Sequence, residues 1–226
     1  MKLTLQKARE LINDDTDGHN MTDAKKRHSF EVGRVARKIA EKCGFDGELA
    51  EILGMIHDVG DRWNGGVQHP LVGYRYIIGL GYDSIYADIC LTHSFIHGDP
   101  NCTSDGLLVE GGKVKPNPIL PWENKKDSDF VLNFLKTHKN TAIEDIVNLC
   151  DLMVTDKIIG LDARLIDLIA EEGAHPNTQN HIRQARELKD SIEKQMGCTI
   201  YDLFPEIIEN LKQPDTYRAA FNYRPK

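Results

Sequence analysis

The apolar residues of this chain recur at helical spacing almost from end to end, and glycines or N-capping residues cut the pattern into helix-sized segments. From Thr22, a favourable N-cap, the segment TDAKKRHSFEVGRVARKIAEKCG carries Val32, Val35 and Ile39 on one side and stops at Gly44. A second helix is predicted from about Asp46 to Val59, with Leu49, Leu53 and Ile56 on its apolar side and Gly60 at its end. QHPLVGYRYIIGLG and DSIYADICLTHSFI read as two more, divided by Gly79 and Gly81. Helical signals resume in SDFVLNFLKTH and in TAIEDIVNLCDLMVTDK, where Thr141 and Glu144 have capping-box spacing, and continue near 161–172, 178–196 and 201–211. The stretch from Gly98 to Lys126 lacks the period. Its LLVEGGKV has the form of a short β-hairpin turning at Gly111-Gly112, and a connection this long is expected to serve as a lid or specificity wall. The pattern predicts an all-α bundle, one helical domain over residues 1–226, with this long loop or small β-hairpin inserted.

Several polar residues fall on the inward faces of these helices. His28 lies four residues before Val32 and seven before Val35, so it shares their buried side. His57 follows Ala50 and Leu53 by seven and four residues, which puts it on the apolar face at the last turn of its helix. Asp58 is rotated from it by roughly 100°, so the two converge on one point. Asp151, four residues after Val147 and three before Val154, is again on a core side. A lone inward histidine is usually bonded to backbone, but a buried carboxylate needs a partner or a metal. Two imidazoles and two carboxylates turned inward are what a divalent transition ion requires.

The order H…HD…D on successive helices stands in RHSFEV at 27–32, MIHDVGD at 55–61 and LCDLMVTDK at 149–157. It resembles the HD-domain superfamily of metal-dependent phosphohydrolases over roughly residues 20 to 160, with residues 161–226 as a C-terminal helical extension. The resemblance implies His28, His57, Asp58 and Asp151 as ligands of one metal. Some subgroups add histidines that hold a second ion, among them small bacterial HD proteins that cleave dinucleoside polyphosphates. His69 in QHPLVG and His93 in LTHSFIHG occupy similar places in the order, and Asp58 would then bridge the two ions. The chain departs from that pattern in reading His93-Ser94 where adjacent histidines often stand; His97 follows one turn later. The matching acidic residue of some relatives acts on the attacking water, which implies a catalytic role for Asp61. Lys157, near two turns after Asp151, is a second catalytic candidate, and Arg62 and Arg164 are candidates for holding phosphate oxygens. Trp63, Tyr74 and Trp122 are aromatic enough to stack on a base, although core packing is the ordinary use of each.

These residues imply water attack on a phosphoester or phosphoanhydride, assisted by one or two ions of manganese, iron, cobalt, nickel or zinc. The expected substrate is a nucleotide or a related small phosphorylated metabolite. A di-iron oxygenase of the HD type is one alternative; a regulatory binding module without chemistry is another, weakened because all four core ligand types are kept. The net charge is −7 and the basic residues are scattered, which argues against long nucleic acid as a partner. Five dispersed cysteines form no C-x-x-C pair, the start MKLTLQKARELINDD lacks a secretory pattern, and no run approaches the roughly 18 apolar residues of a membrane span. A cytoplasmic location is the expectation.

Overall fold

The computed structural model describes residues 1–16, 19, 21–63, 68–96, 99–100, 107–110, 113–116, 125–174 and 177–213. The fold is all-α. In chain order its helices are α1 (Leu5–Asn13), α2 (Asp23–Lys42), α3 (Gly47–Ile56), a 3-10 turn (Val59–Arg62), α4 (His69–Gly79) and α5 (Ser84–Thr92). Then come α6 (Lys125–Thr137), α7 (Ala142–Asp151), α8 (Leu161–Glu172), α9 (Thr178–Met196), α10 (Ile200–Leu203) and α11 (Glu206–Leu211). Between α5 and α6 lie β1 (Phe95–Ile96), β2 (Asp99–Pro100), β3 (Leu107–Glu110) and β4 (Lys113–Pro116). Strands β3 and β4 pair antiparallel with Val109 opposite Val114 and Glu110 opposite Lys113, so the expected hairpin is present.

Capping chemistry starts the helices that matter most. The Thr22 and Asp46 side chains accept from the third backbone N–H of α2 and α3, and Thr141 and Glu144 form the reciprocal box at the start of α7. Helix α2 lies at the centre, packed on α3 and α7. Val32, Val35, Ile39, Leu53, Ile56, Val147 and Leu149 are fully buried in one continuous core that extends to Phe204 and Ile207 at the far end of the chain. A smaller cluster of Leu71, Leu91, Phe95 and Val131 seats α6 against α4 and α5.

Several boundaries differ from the sequence expectation. Helix α3 ends at Ile56 rather than Val59, because Asp58 leaves the helical region at φ −99°, ψ 15°. Helix α7 ends at Asp151, and the chain turns back through an antiparallel bridge between Val154 and Ile158. Lys157 therefore lies in that turn and not two helical turns beyond Asp151, which removes the reason for favouring it. Helix α5 stops at Thr92, and the residues read as its last turn become β1. Gly79 does not divide α4 from α5; Gly81 does, with φ +78°. The predicted helix at 201–211 is split by Pro205, whose ring keeps the preceding Phe204 out of the helical region, at φ −129° and ψ 70°. Among the described residues no helix is long and apolar enough to cross a membrane.

Candidate metal centre

Helices α2 and α3 cross where Gly33 meets Gly54. A Cβ on Gly54 would fall 2.8 Å from the Gly33 Cα, and one on Gly33 would fall 2.8 Å from the Glu51 carbonyl oxygen. This close crossing brings the Nε2 atoms of His28, five residues before Gly33, and His57, three after Gly54, to 3.3 Å. The Nδ1 of His28 faces the Thr155 carbonyl at 2.8 Å, and that of His57 faces the Gly54 carbonyl at 2.7 Å. A carbonyl only accepts, so Nδ1–H donates in both rings, and in the neutral rings both Nε2 lone pairs point into the same space. Asp151 Oδ1 lies 3.0 Å from the His28 Nε2 and 3.5 Å from the His57 Nε2. Asp58 Oδ2 lies 3.9 and 3.5 Å from the same two atoms. Nitrogen and oxygen lone pairs meeting this closely are bridged by a proton or by a metal cation, and this donor set suits a borderline divalent ion.

The arrangement is repeated beside it. His69, the first residue of α4, and His93, which caps α5, place their Nε2 atoms 3.1 Å apart. The Ile89 carbonyl accepts from the His93 Nδ1–H at 3.2 Å. Asp58 Oδ1 lies 3.3 Å from the His69 Nε2 and 3.2 Å from the His93 Nε2. Asp58 thus turns one carboxylate oxygen to each imidazole pair, and His28, His57, Asp58 and Asp58, His69, His93 are two sets of residues able to hold an ion. The Ser94 hydroxyl, 3.2 Å from the His93 Nε2, stands at the position where the sequence departs from an adjacent-histidine pattern. A close backbone approach sets α4 in place: a Cβ on Gly60 would lie 2.0 Å from the His69 carbonyl oxygen and 2.6 Å from the Gly73 nitrogen.

The electrostatics of this cluster favour positive charge. Burial alone would raise the carboxyl pKa of Asp58, but the Lys25 ammonium and His57 hold it well below the ordinary carboxylate value. Asp151, partly buried, is likewise held low by His28 and His57 against the cost of its desolvation. Burial disfavours the charged form of His57, yet Asp58 and Asp151 prevail and raise its pKa to about 9.

Lys25 is the site residue that the sequence reading does not single out. Its ammonium sits 2.6 Å from Asp61 Oδ2 and 3.2 Å from Asp58 Oδ2. The available signal is its position three residues before His28, on the same face of α2. Asp61 is buried, with its other oxygen 3.7 Å from the His69 Nδ1.

The remaining candidates stand apart from the cluster or have work elsewhere. Arg62 is buried; it donates to the His19 carbonyl at 2.8 Å and to Asp14 at 3.3 Å, tying down the connection between α1 and α2, so a substrate-binding role gains no support. Arg164 pairs with Asp167 at 2.8 Å within α8. Trp63 packs against Tyr76 with ring centroids 4.5 Å apart, and Tyr74 against Phe130 and Phe134 at 5.4 and 6.2 Å, as core-edge residues do. His97, Trp122 and most of the stretch from Gly98 to Lys126 lie outside the described residues. His181, read as belonging to a polar context, is buried on α9, and burial pushes its pKa down to about 4. Ala185 and Leu188, four and seven residues later on the same buried face, are the signal that locates it.

Comparison with known proteins agrees with this geometry. Ribonuclease Y of Clostridium botulinum, in strains Hall, Langeland and Okra, is 27% identical to the chain over 129 residues. The match covers 55% of this chain and 23% of each ribonuclease, so the chain spans under a quarter of the length of these relatives. No solved structure matches. The HD domain family matches residues 26–158, more than half of the chain, and that range begins just before His28, ends just after Asp151 and includes both imidazole pairs. The chain belongs to the HD domain family.

Proposed function

We propose that this protein is a metal-dependent phosphohydrolase that cleaves a phosphoester or phosphoanhydride of a nucleotide or related small phosphorylated metabolite. Its ligands in this reading are His28, His57, Asp58 and Asp151 for one ion and Asp58, His69 and His93 for a second. The observation that carries the reading is the placement of Asp58, whose two oxygens face two imidazole pairs at 3.2 to 3.9 Å. Manganese, iron, cobalt, nickel or zinc would supply Lewis acidity toward a water and a phosphoryl oxygen. The chain supplies the rest. Carbonyls of Thr155, Gly54 and Ile89 fix the rings of His28, His57 and His93 with Nε2 inward, so no reorientation is needed when an ion enters. In this reading Asp61, 3.7 Å from the His69 Nδ1, accepts a proton from a water beside Asp58 or steadies His69.

Two imidazole pairs sharing one carboxylate suit a phosphoanhydride as well as a phosphoester, and the order of the histidines resembles the dinucleoside polyphosphate type of HD protein, which makes a phosphoanhydride the first substrate to test. A second reading, a phosphodiester of RNA, draws on the ribonuclease relatives, and the charge of −7 stands against it. One screen separates the two. Metal-loaded protein is offered nucleoside mono- and triphosphates, dinucleoside polyphosphates and an RNA oligonucleotide, and products are resolved by chromatography. The proposal expects phosphate or nucleotide release from the small substrates, abolished by chelation and by Asp58→Ala. Cleavage of the oligonucleotide alone would favour the second reading, and metal-loaded protein inert toward every substrate would refute both.

A further inference from the structure

We propose that Lys25 is the phosphate-binding residue of this site and sets its preference for anionic substrates, by offering its ammonium to a nonbridging oxygen of the bound phosphoryl group. The inference rests on the phosphohydrolase reading of the same centre and names a residue that neither the motif nor the sequence pattern assigns. Lys25 enters from the first turn of α2 with its side chain 47% exposed, while the ammonium reaches inward to Asp61 Oδ2 at 2.6 Å and Asp58 Oδ2 at 3.2 Å. The stem therefore lies at the surface and the charge lies beside the ligands, which is the placement a substrate must pass. Asp58 Oδ2 is also the oxygen facing His28 and His57. Asp58 would hold an ion with that oxygen, and a carboxylate so engaged would attract the ammonium less, leaving Lys25 a donor to spare.

Charge decides what Lys25 is worth. The cluster holds three carboxylates, Asp58, Asp61 and Asp151. One divalent ion with Lys25 neutralises them; without Lys25 the same centre would present a net negative charge to an anion. With two ions the site is already positive, and Lys25 adds a further unit at the point of entry. The two arginines that the sequence suggests for this task are engaged elsewhere, Arg62 with the His19 carbonyl and Asp14, Arg164 with Asp167.

The test uses the full chain loaded with manganese, and inorganic phosphate as the probe. Phosphate binding by calorimetry, KM and kcat for the best phosphoester, metal content and melting temperature are measured for wild type, Lys25→Met and Lys25→Arg. Loss of one charge-assisted hydrogen bond predicts that Lys25→Met weakens phosphate binding and raises KM by about ten- to a hundredfold, with a smaller change in kcat. Metal content and melting temperature should stay at wild-type values, and Lys25→Arg should recover most of the binding. Unchanged phosphate affinity in Lys25→Met overturns the proposal. So does an effect confined to kcat, which would make Lys25 a counter-ion for Asp61, and so does loss of metal. If wild type binds phosphate through Lys25 yet hydrolyses no ester, the phosphohydrolase reading fails and the binding role survives.

Discussion

Asp58 is readable as a candidate ligand from sequence because it follows an inward histidine at a helix end, but its position between two imidazole pairs is not. Spacing along α3 says that it points toward the core; only the fold shows that α4 and α5 bring His69 and His93 against its second oxygen. His28, His57 and Asp151 are legible for the same reason as Asp58, since each shares a face with buried aliphatic residues. Arg62 shows the limit of spacing, because a cation next to a metal motif invites a substrate role while the contacts it makes to Asp14 and the His19 carbonyl lie more than forty residues away in sequence. His181 provides a prediction at this scale. Burial outweighs the attraction of Asp151 and lowers its pKa from 6.5 to about 4. Between those values the unfolded chain binds a proton that the folded chain refuses, so the stability held by neutral His181 is complete above pH 6.5 and lost as pH falls toward 4. The full effect is at most about 3 kcal/mol. The difference in denaturant midpoint between wild type and His181→Asn should shrink steadily from pH 7 to pH 4; a constant difference would show that His181 does not titrate in this range.

Elements are placed by glycines whose importance no single-chain pattern reveals. Nothing in the helical pattern marks Gly33 or Gly54, yet their contact sets the α2–α3 distance and with it the 3.3 Å approach of His28 and His57. Gly60 looked like the end of α3 and instead lets the start of α4 approach within 2.0 Å of where a Cβ would stand. Backbone atoms cannot yield as a flexible side chain can, so Gly60→Ala must displace the α4 start that carries His69. We expect this variant to lose about 1–3 kcal/mol of stability by chemical denaturation and to weaken the second ion more than the first. Equal metal occupancy in variant and wild type would show that α4 tolerates the shift. Helix existence was legible almost throughout, because capping residues and apolar spacing agree. Helix ends at Ile56, Thr92 and Asp151 were not, because the chain there turns into the 3-10 turn, into β1 and into the Val154–Ile158 bridge, where the apolar spacing continues as if helical.

At the scale of the whole molecule, the candidate ligands come from α2, the end of α3, α4, α5 and α7, and the core behind them runs without a break to the C-terminal helices. A metal bound there ties together elements that the unfolded chain keeps far apart, so binding stabilises the fold by linkage. At 100 to 1,000 times the dissociation constant the gain is about 3–4 kcal/mol, and chelation should lower the melting temperature by several degrees. An unchanged melting temperature would place the metal at the periphery. The claim that Asp58 joins two ion sites is tested most directly by metal analysis of protein purified without chelator. The two-ion proposal predicts two transition-metal ions per chain in wild type, one in His93→Ala and none in Asp58→Ala; full metal content in folded Asp58→Ala would contradict it.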